Sequence, residues 1–226
     1  TFIGENVDST VITWNDYSGK GKHTTFTSYT VKISGNRFRA ENITFANTAG
    51  PVGQALALYV DADKAVFKNC KFLGNQDTIF TAGEGARQLF ENCYIEGTTD
   101  FIFGPSTALF QGCTIKGKSN SFITAASTYR RSSFGYVFKD CKIVADTNVS
   151  KLYLGRPWRA YARTVFMNCD LPKVIAPDGW NNWGNPENEK TAFYAEYKNT
   201  GEGALFDKRV KWAKQLTSKE ANQYKK

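Results

Sequence analysis

Val66-Phe67-Lys68-Asn69-Cys70-Lys71-Phe72-Leu73-Gly74-Asn75-Gln76-Asp77 is followed shortly by Leu89-Phe90-Glu91-Asn92-Cys93-Tyr94-Ile95-Glu96-Gly97-Thr98-Thr99-Asp100. The two stretches carry one pattern, and an aspartate stands seven positions after the cysteine in each. Apolar and polar residues alternate with the period of a strand. The Asn before each Cys is a residue type that tolerates a tight bend. Working outward, the motif recurs at 110–115, 138–143 and 166–171, with a divergent first copy at 40–45. Successive cysteines lie 23, 20, 28 and 28 residues apart. Helical hairpin repeats hold their length, whereas a coil of short strands absorbs insertions in its loops. The spacing therefore predicts an all-β chain, a right-handed parallel β-helix whose interior stacks Phe, Cys and Ile. An antiparallel β-sandwich competes, but it needs hairpin turns, and Asp178-Gly179 is the exception in a chain that has few. In a solenoid, strands of neighbouring turns lie about 4.8 Å apart, so Asp77 and Asp100 are expected one above the other.

The rest of the chain fits around that coil. Residues 1–30 read as short strands between turns, with a loop at Lys20-Gly21-Lys22-His23. Residues 172–204, rich in Asn, Gly, Pro and aromatics including Trp180, Trp183, Phe193, Tyr194 and Tyr197, read as long C-terminal loops. Val210, Trp212, Ala213 and Leu216 among Lys, Glu and Gln suggest a short C-terminal helix over 207–224 that covers the end of the coil. Residues 1–226 are expected to form a single domain. The first residue is Thr, not Met, and the expectation is that the chain starts inside a longer protein.

Composition narrows the function. The 226 residues are 41% hydrophobic and 15% aromatic, globular values, and no apolar run reaches the length of a bilayer span, so a soluble protein without membrane attachment is expected. A net charge of +8 favours an acidic partner. Its Lys and Arg are spread along the sequence rather than bunched, which argues against nucleic acid. The five cysteines share one slot of the repeat, which suits a row of small buried side chains better than disulfides. No metal site is expected, since the chain has no CxxC and a single histidine, His23. That histidine lies outside every motif, which leaves a Ser-His-Asp triad without its base.

Gly74-Asn75-Gln76-Asp77-Thr78-Ile79-Phe80, Gly97-Thr98-Thr99-Asp100-Phe101-Ile102-Phe103-Gly104 and Tyr153-Leu154-Gly155-Arg156-Pro157-Trp158 resemble, in order, the three signature segments of the pectin methylesterases. Gly53-Gln54-Ala55-Leu56-Ala57-Leu58 resembles a fourth. The likeness spans nearly the whole chain. It departs from the family at Thr99, where Val is common, at Phe80, where Tyr is common, and in lacking the family's N-terminal strand and helix. The resemblance implies a nucleophile at Asp100, an acid/base at Asp77, oxyanion-stabilising amides at Gln54 and Gln76, and an Arg156 that orients Asp100. It implies sugar binding by Trp158, a substrate of methyl-esterified homogalacturonan, no cofactor, and a secreted, periplasmic or cell-wall-associated protein, expected to be monomeric.

Residue chemistry supports similar roles. Two carboxylates in one cleft cannot both ionise easily, so one keeps its proton. An arginine beside Asp100 would hold that group anionic and leave Asp77 protonated, so one can attack and the other donate. Neutral amides can hold an oxyanion without quenching the nucleophile. Phe80, Phe103, Trp158 and Trp180 are candidate faces for sugar rings, and of Phe101 and Phe103 one should point inward and the other to the cleft. A lone Asp in such a bend is ordinarily a turn residue, and Arg156-Pro157-Trp158 also suits a packing corner. Asn42-Ile43-Thr44 and Asn148-Val149-Ser150 fit the N-glycosylation pattern, though Asn42 aligns with the bend residue Asn69. Competing functions are a lyase, which would want clustered acids for calcium, a glycosidase with two carboxylates, and a non-catalytic sugar-binding module.

Overall fold

The computed structural model describes residues 1–224. Among them, the strands form three parallel sheets of nine, six and six members. Each sheet takes every third strand of the central coils, so the chain winds as a right-handed parallel β-helix. One turn runs through Ala65–Lys68, Lys71–Leu73 and Ile79–Thr81, and the next through Arg87–Glu91, Tyr94–Gly97 and Ile102–Gly104. Their register is Phe67 against Phe90, Phe72 against Ile95, and Ile79 against Ile102.

The repeat motif explains this winding. The residue before each cysteine slot adopts a left-handed backbone, with φ of 58° at Asn42, 50° at Asn69, 52° at Asn92, 63° at Gly112, 54° at Asp140 and 52° at Asn168. Asn, Asp and Gly enter that region at least cost. Asn42 belongs to this row. Inside the coil, the rings of Phe67, Phe90, Phe110, Phe138 and Phe166 stack face to face, with centroids 4.9, 4.8, 4.5 and 4.3 Å apart. The cysteines are buried free thiols. Each Sγ from Cys93 onward donates to the carbonyl of the Phe one turn below, Cys113 to Phe90 at 3.3 Å and Cys141 to Phe110 at 3.2 Å among them.

The C-terminal part is more ordered than its composition suggests. Phe193–Tyr197 is a strand of the nine-stranded sheet, not a loop, paired with Arg163–Met167. Glu187–Thr191 is a short helix. The predicted helix over 207–224 is reduced to Ser218–Ala221 with a 3-10 turn at Asn222–Tyr224, and Lys214–Gln215 before it is a strand. Leu216 and Ala221 pack on Val165, Met167 and Ala195, so the segment does cover the sheet. No helix among the described residues is long and apolar enough to cross a membrane.

Candidate active site

The register that pairs Ile79 with Ile102 sets Asp77 against Asp100 on adjacent turns, as the equal offsets from Cys70 and Cys93 require. Both sit in the bend entering the third sheet, with left-handed φ of 64° and 50°. Asp77 N–H donates to the Thr99 carbonyl at 3.0 Å and Asp100 N–H to the Phe122 carbonyl at 2.8 Å, so each bend is pinned to the next turn. Glycine at 97 makes the bend feasible: a Cβ there would lie 2.2 Å from that of Phe101.

Arg156 arrives from two turns further along. Gly155 packs so closely on Thr124 that a Cβ would meet its Oγ1 at 1.9 Å. Arg156 then reaches back to Asp100 with a two-pronged fork, Nε to Oδ1 at 3.0 Å and Nη2 to Oδ2 at 2.7 Å. Its guanidinium carbon lies 4.0 Å from the Phe122 ring centroid and 3.8 Å from that of Trp183. Gln54 and Gln76 are bridged partners on neighbouring turns. Their backbones are tied by the Ala55 N–H donating to the Gln76 carbonyl at 3.2 Å. Their side-chain amides make no hydrogen bond to the described residues and face one cleft of 290 Å³ with Asp77, Asp100, Phe103, Arg156 and Trp158.

The two carboxyls titrate differently. Burial, then the charge of Asp100, pushes Asp77 up to about 8, against a downward pull from Arg156. Burial also raises Asp100, but the hydrogen bonds and charge of Arg156 oppose it. The cleft thus holds a proton on Asp77 near neutral pH, and although Asp100 is itself raised by burial, Arg156 offsets part of that rise and leaves Asp100 the more readily ionised of the two.

The predicted sugar faces are placed unevenly. Trp158 and Phe103 line the cleft, 5.8 Å apart, while Phe101 points into the core. Phe80 is 8% exposed. It stacks under Phe103 at 4.7 Å and opens onto a shallower hollow beside Trp158, outside the aspartate cleft. Trp180 is not a sugar face: it is 1% exposed and packs on Phe166 and Tyr194. Four residues not expected from the sequence do line the cleft, Thr25, Phe26, Ala125 and Trp183. Phe26 lies 6.5 Å from Trp158 and nearly parallel to it. Thr25 and Phe26 belong to the short 3-10 turn Thr25–Thr27 and Trp183 to an irregular loop, where no periodicity marks which side chain points inward, while Ala125 lies on the strand Phe122–Ala126. Trp183 had one signal, its position in an Asn-rich segment beside the buried Trp180. No group of His, Cys, Asp and Glu arranged to hold a metal occurs among the described residues.

A model of the family described as Pectinesterase matches residues 1–226. The chain belongs to the pectinesterase family. It is 42% identical to "Pectinesterase 31" of Arabidopsis thaliana over 235 residues, 99% of this chain and 74% of that protein. It is 41% identical to "Probable pectinesterase/pectinesterase inhibitor 64" of the same plant, over 99% of this chain and 40% of that protein. The chain spans less than half the length of this and several other curated relatives, each named a pectinesterase/pectinesterase inhibitor. Among solved structures, the pectin methylesterase from carrot superposes with a TM-score of 0.89 at 38% identity, covering 95% of this chain and 71% of that one. A pectin methylesterase solved in complex with a hexasaccharide superposes at 0.86 and 29% identity, covering 99% and 80%.

Proposed function

We propose that the chain is a pectinesterase domain that hydrolyses galacturonate methyl esters of homogalacturonan, with Asp100 as nucleophile and Asp77 as acid/base. The observation that carries this reading is the fork of Arg156 on Asp100 facing an Asp77 pushed up to about 8 within one cleft. An Asp100 oxygen attacks the ester carbonyl carbon, and the tetrahedral oxyanion forms beside the unpaired amides of Gln54 and Gln76. Collapse breaks the bond to the methoxy oxygen, which takes the Asp77 proton and leaves as methanol. The mixed anhydride that remains is hydrolysed when Asp77, now anionic, accepts a proton from water and the resulting hydroxide attacks the galacturonate carbonyl. Collapse returns the Asp100 carboxylate, a reprotonated Asp77 and the free acid.

Trp158, Phe103 and Phe26 give apolar faces for sugar rings, and the hexasaccharide held by the related esterase supports an oligosaccharide ligand. The charge of +8 suits a polymer that gains negative charge as it is processed. The same reading places the protein outside the cytoplasm, where cell-wall pectin lies. Every step uses this chain's own side chains, so no metal is required by the scheme.

The test is methanol release from esterified pectin by wild type and Asp100→Asn, with and without a chelator. Wild type is expected to release methanol equally in both, and Asp100→Asn to lose at least about a thousandfold, the scale of deleting a nucleophile. Reducing-end release in place of methanol, full activity in Asp100→Asn, or chelator-sensitive turnover restored by added metal would each defeat the reading.

A further inference from the structure

Trp183 contributes little to the hydrophobic core. It is 37% exposed, whereas Trp180 is 1% exposed. Yet its backbone stands at φ 65°, in the left-handed region that bulky side chains rarely enter. A set of polar bonds holds it there. Asn181 Oδ1 accepts the Trp183 N–H at 2.8 Å and Asn182 Oδ1 accepts the Gly184 N–H at 2.9 Å. Asn182 Nδ2 donates to Glu189 at 2.7 Å. The buried Asn188 donates to the Asn182 carbonyl at 3.1 Å and reaches the Pro157 carbonyl at 3.4 Å. On the other flank the Asn181 N–H donates to the Gly155 carbonyl at 3.1 Å. The loop is therefore fastened to the residues immediately before and after Arg156.

What this bracing delivers is an indole 3.8 Å from the Arg156 guanidinium, with Phe122 4.0 Å from the same group. A guanidinium held between aromatic rings is attracted by their π faces and loses the freedom to swing. Only its edge remains for hydrogen bonding, and that edge carries the two bonds to Asp100. Such restraint has a purpose in this cleft, because each turnover creates a free carboxylate that competes with Asp100 for the same cation. We propose that Trp183 is a positioning residue for the ester hydrolysis, clamping Arg156 against Phe122 so that its fork stays on Asp100. The inference rests on the esterase reading for its kinetic consequence, but the clamp itself is measurable without turnover.

The charged and titratable groups facing Asp100 are Arg156, Asp77 across the cleft and, from inside the coil, Tyr194. Loosening Arg156 removes the attraction that opposes burial, so Asp100 should take up its proton at higher pH. The experiment follows the Asp100 carboxyl carbon by NMR across pH, alongside methanol release, in wild type, Trp183→Leu and Trp183→Phe. Trp183→Leu should raise the Asp100 midpoint and move the acid limb of kcat/KM the same way. It should also lower kcat about three- to thirtyfold, the reach of a cation–π contact, with KM changed less than about twofold. Trp183→Phe, which keeps a π face, should recover most of this. Asn181→Ala, which removes the bond to the Trp183 N–H, should give the same direction of change with the indole retained, and covers the case in which Trp183→Leu does not fold. An unmoved Asp100 midpoint in both Trp183→Leu and Asn181→Ala overturns the clamp, and a rise in KM with kcat intact makes Trp183 a sugar shelf instead. A wild type that titrates as expected but releases no methanol overturns the esterase reading and leaves the clamp standing.

Discussion

A carboxyl group whose folded-state pKa lies far above its unfolded value binds a proton in the folded chain that the unfolded chain has released. For Asp77 that window runs from its ordinary value of 3.8 to about 8. Across it the folded state holds more protons, so stability falls as pH rises, and it is fully discounted above the window. Asp77→Asn removes the titrating group and keeps the shape. Its unfolding free energy should match wild type near pH 3 and exceed it increasingly up to about pH 8, by up to a few kcal/mol, while methanol release is lost. Equal melting of both proteins at pH 8 would show that the folded protein does not hold the Asp77 proton. The alkaline limb of wild-type turnover should fall in the same region, as a property of the coupled pair. The pairing of Asp77 with Asp100 was legible in the sequence because a solenoid converts equal offsets from Cys70 and Cys93 into adjacency. Trp183 and Phe26 were not, because their place in the cleft depends on contacts remote in sequence, Trp183 with Arg156 and Phe26 with Phe80 and Trp158.

At the scale of the element, the unit that stabilises the coil is the column of rings from Phe67 to Phe166. Phe110 is fully buried and stacked on both neighbours. Phe110→Ala leaves a void that flanking turns, held by their own ladder bonds, cannot close, and should cost about 3–5 kcal/mol. A loss below about 1 kcal/mol in chemical denaturation would mean that the turns collapse around the gap. The column also sets which strands the sequence predicts. Every strand of the nine-stranded sheet with a Phe in the column carries the motif that predicts it, whereas Phe193–Tyr197 carries none and its composition predicts a loop. Register sets Glu196 opposite Phe166, so the last turn breaks the pattern that identified the others.

For the whole molecule, that substitution of acid for aromatic raises the question of how the coil ends. Glu196 is 3% exposed and continues the Phe column as a charge. Arg209 meets it with a fork, Nε to Oε1 at 2.7 Å and Nη2 to Oε2 at 3.2 Å. Its other N–H groups donate to the Gly203 carbonyl at 2.7 Å, the Pro177 carbonyl at 3.1 Å and the Ala176 carbonyl at 3.3 Å. One buried guanidinium thus joins the last turn to two loops that have no repeat of their own. Burying two charges costs desolvation that the pair recovers only while both partners are present. Arg209→Ala should therefore destabilise by about 3–5 kcal/mol, because it strands Glu196 without a partner. Glu196→Leu combined with Arg209→Met should regain most of that loss, since an apolar pair can replace a buried ion pair at little cost. Denaturant unfolding of Glu196→Leu, Arg209→Met and the double closes the cycle, with Arg209→Ala beside them. If the double variant is as unstable as Arg209→Ala, the carbonyl bonds of Arg209 to the two loops, and not its pairing with Glu196, hold the end of the coil together.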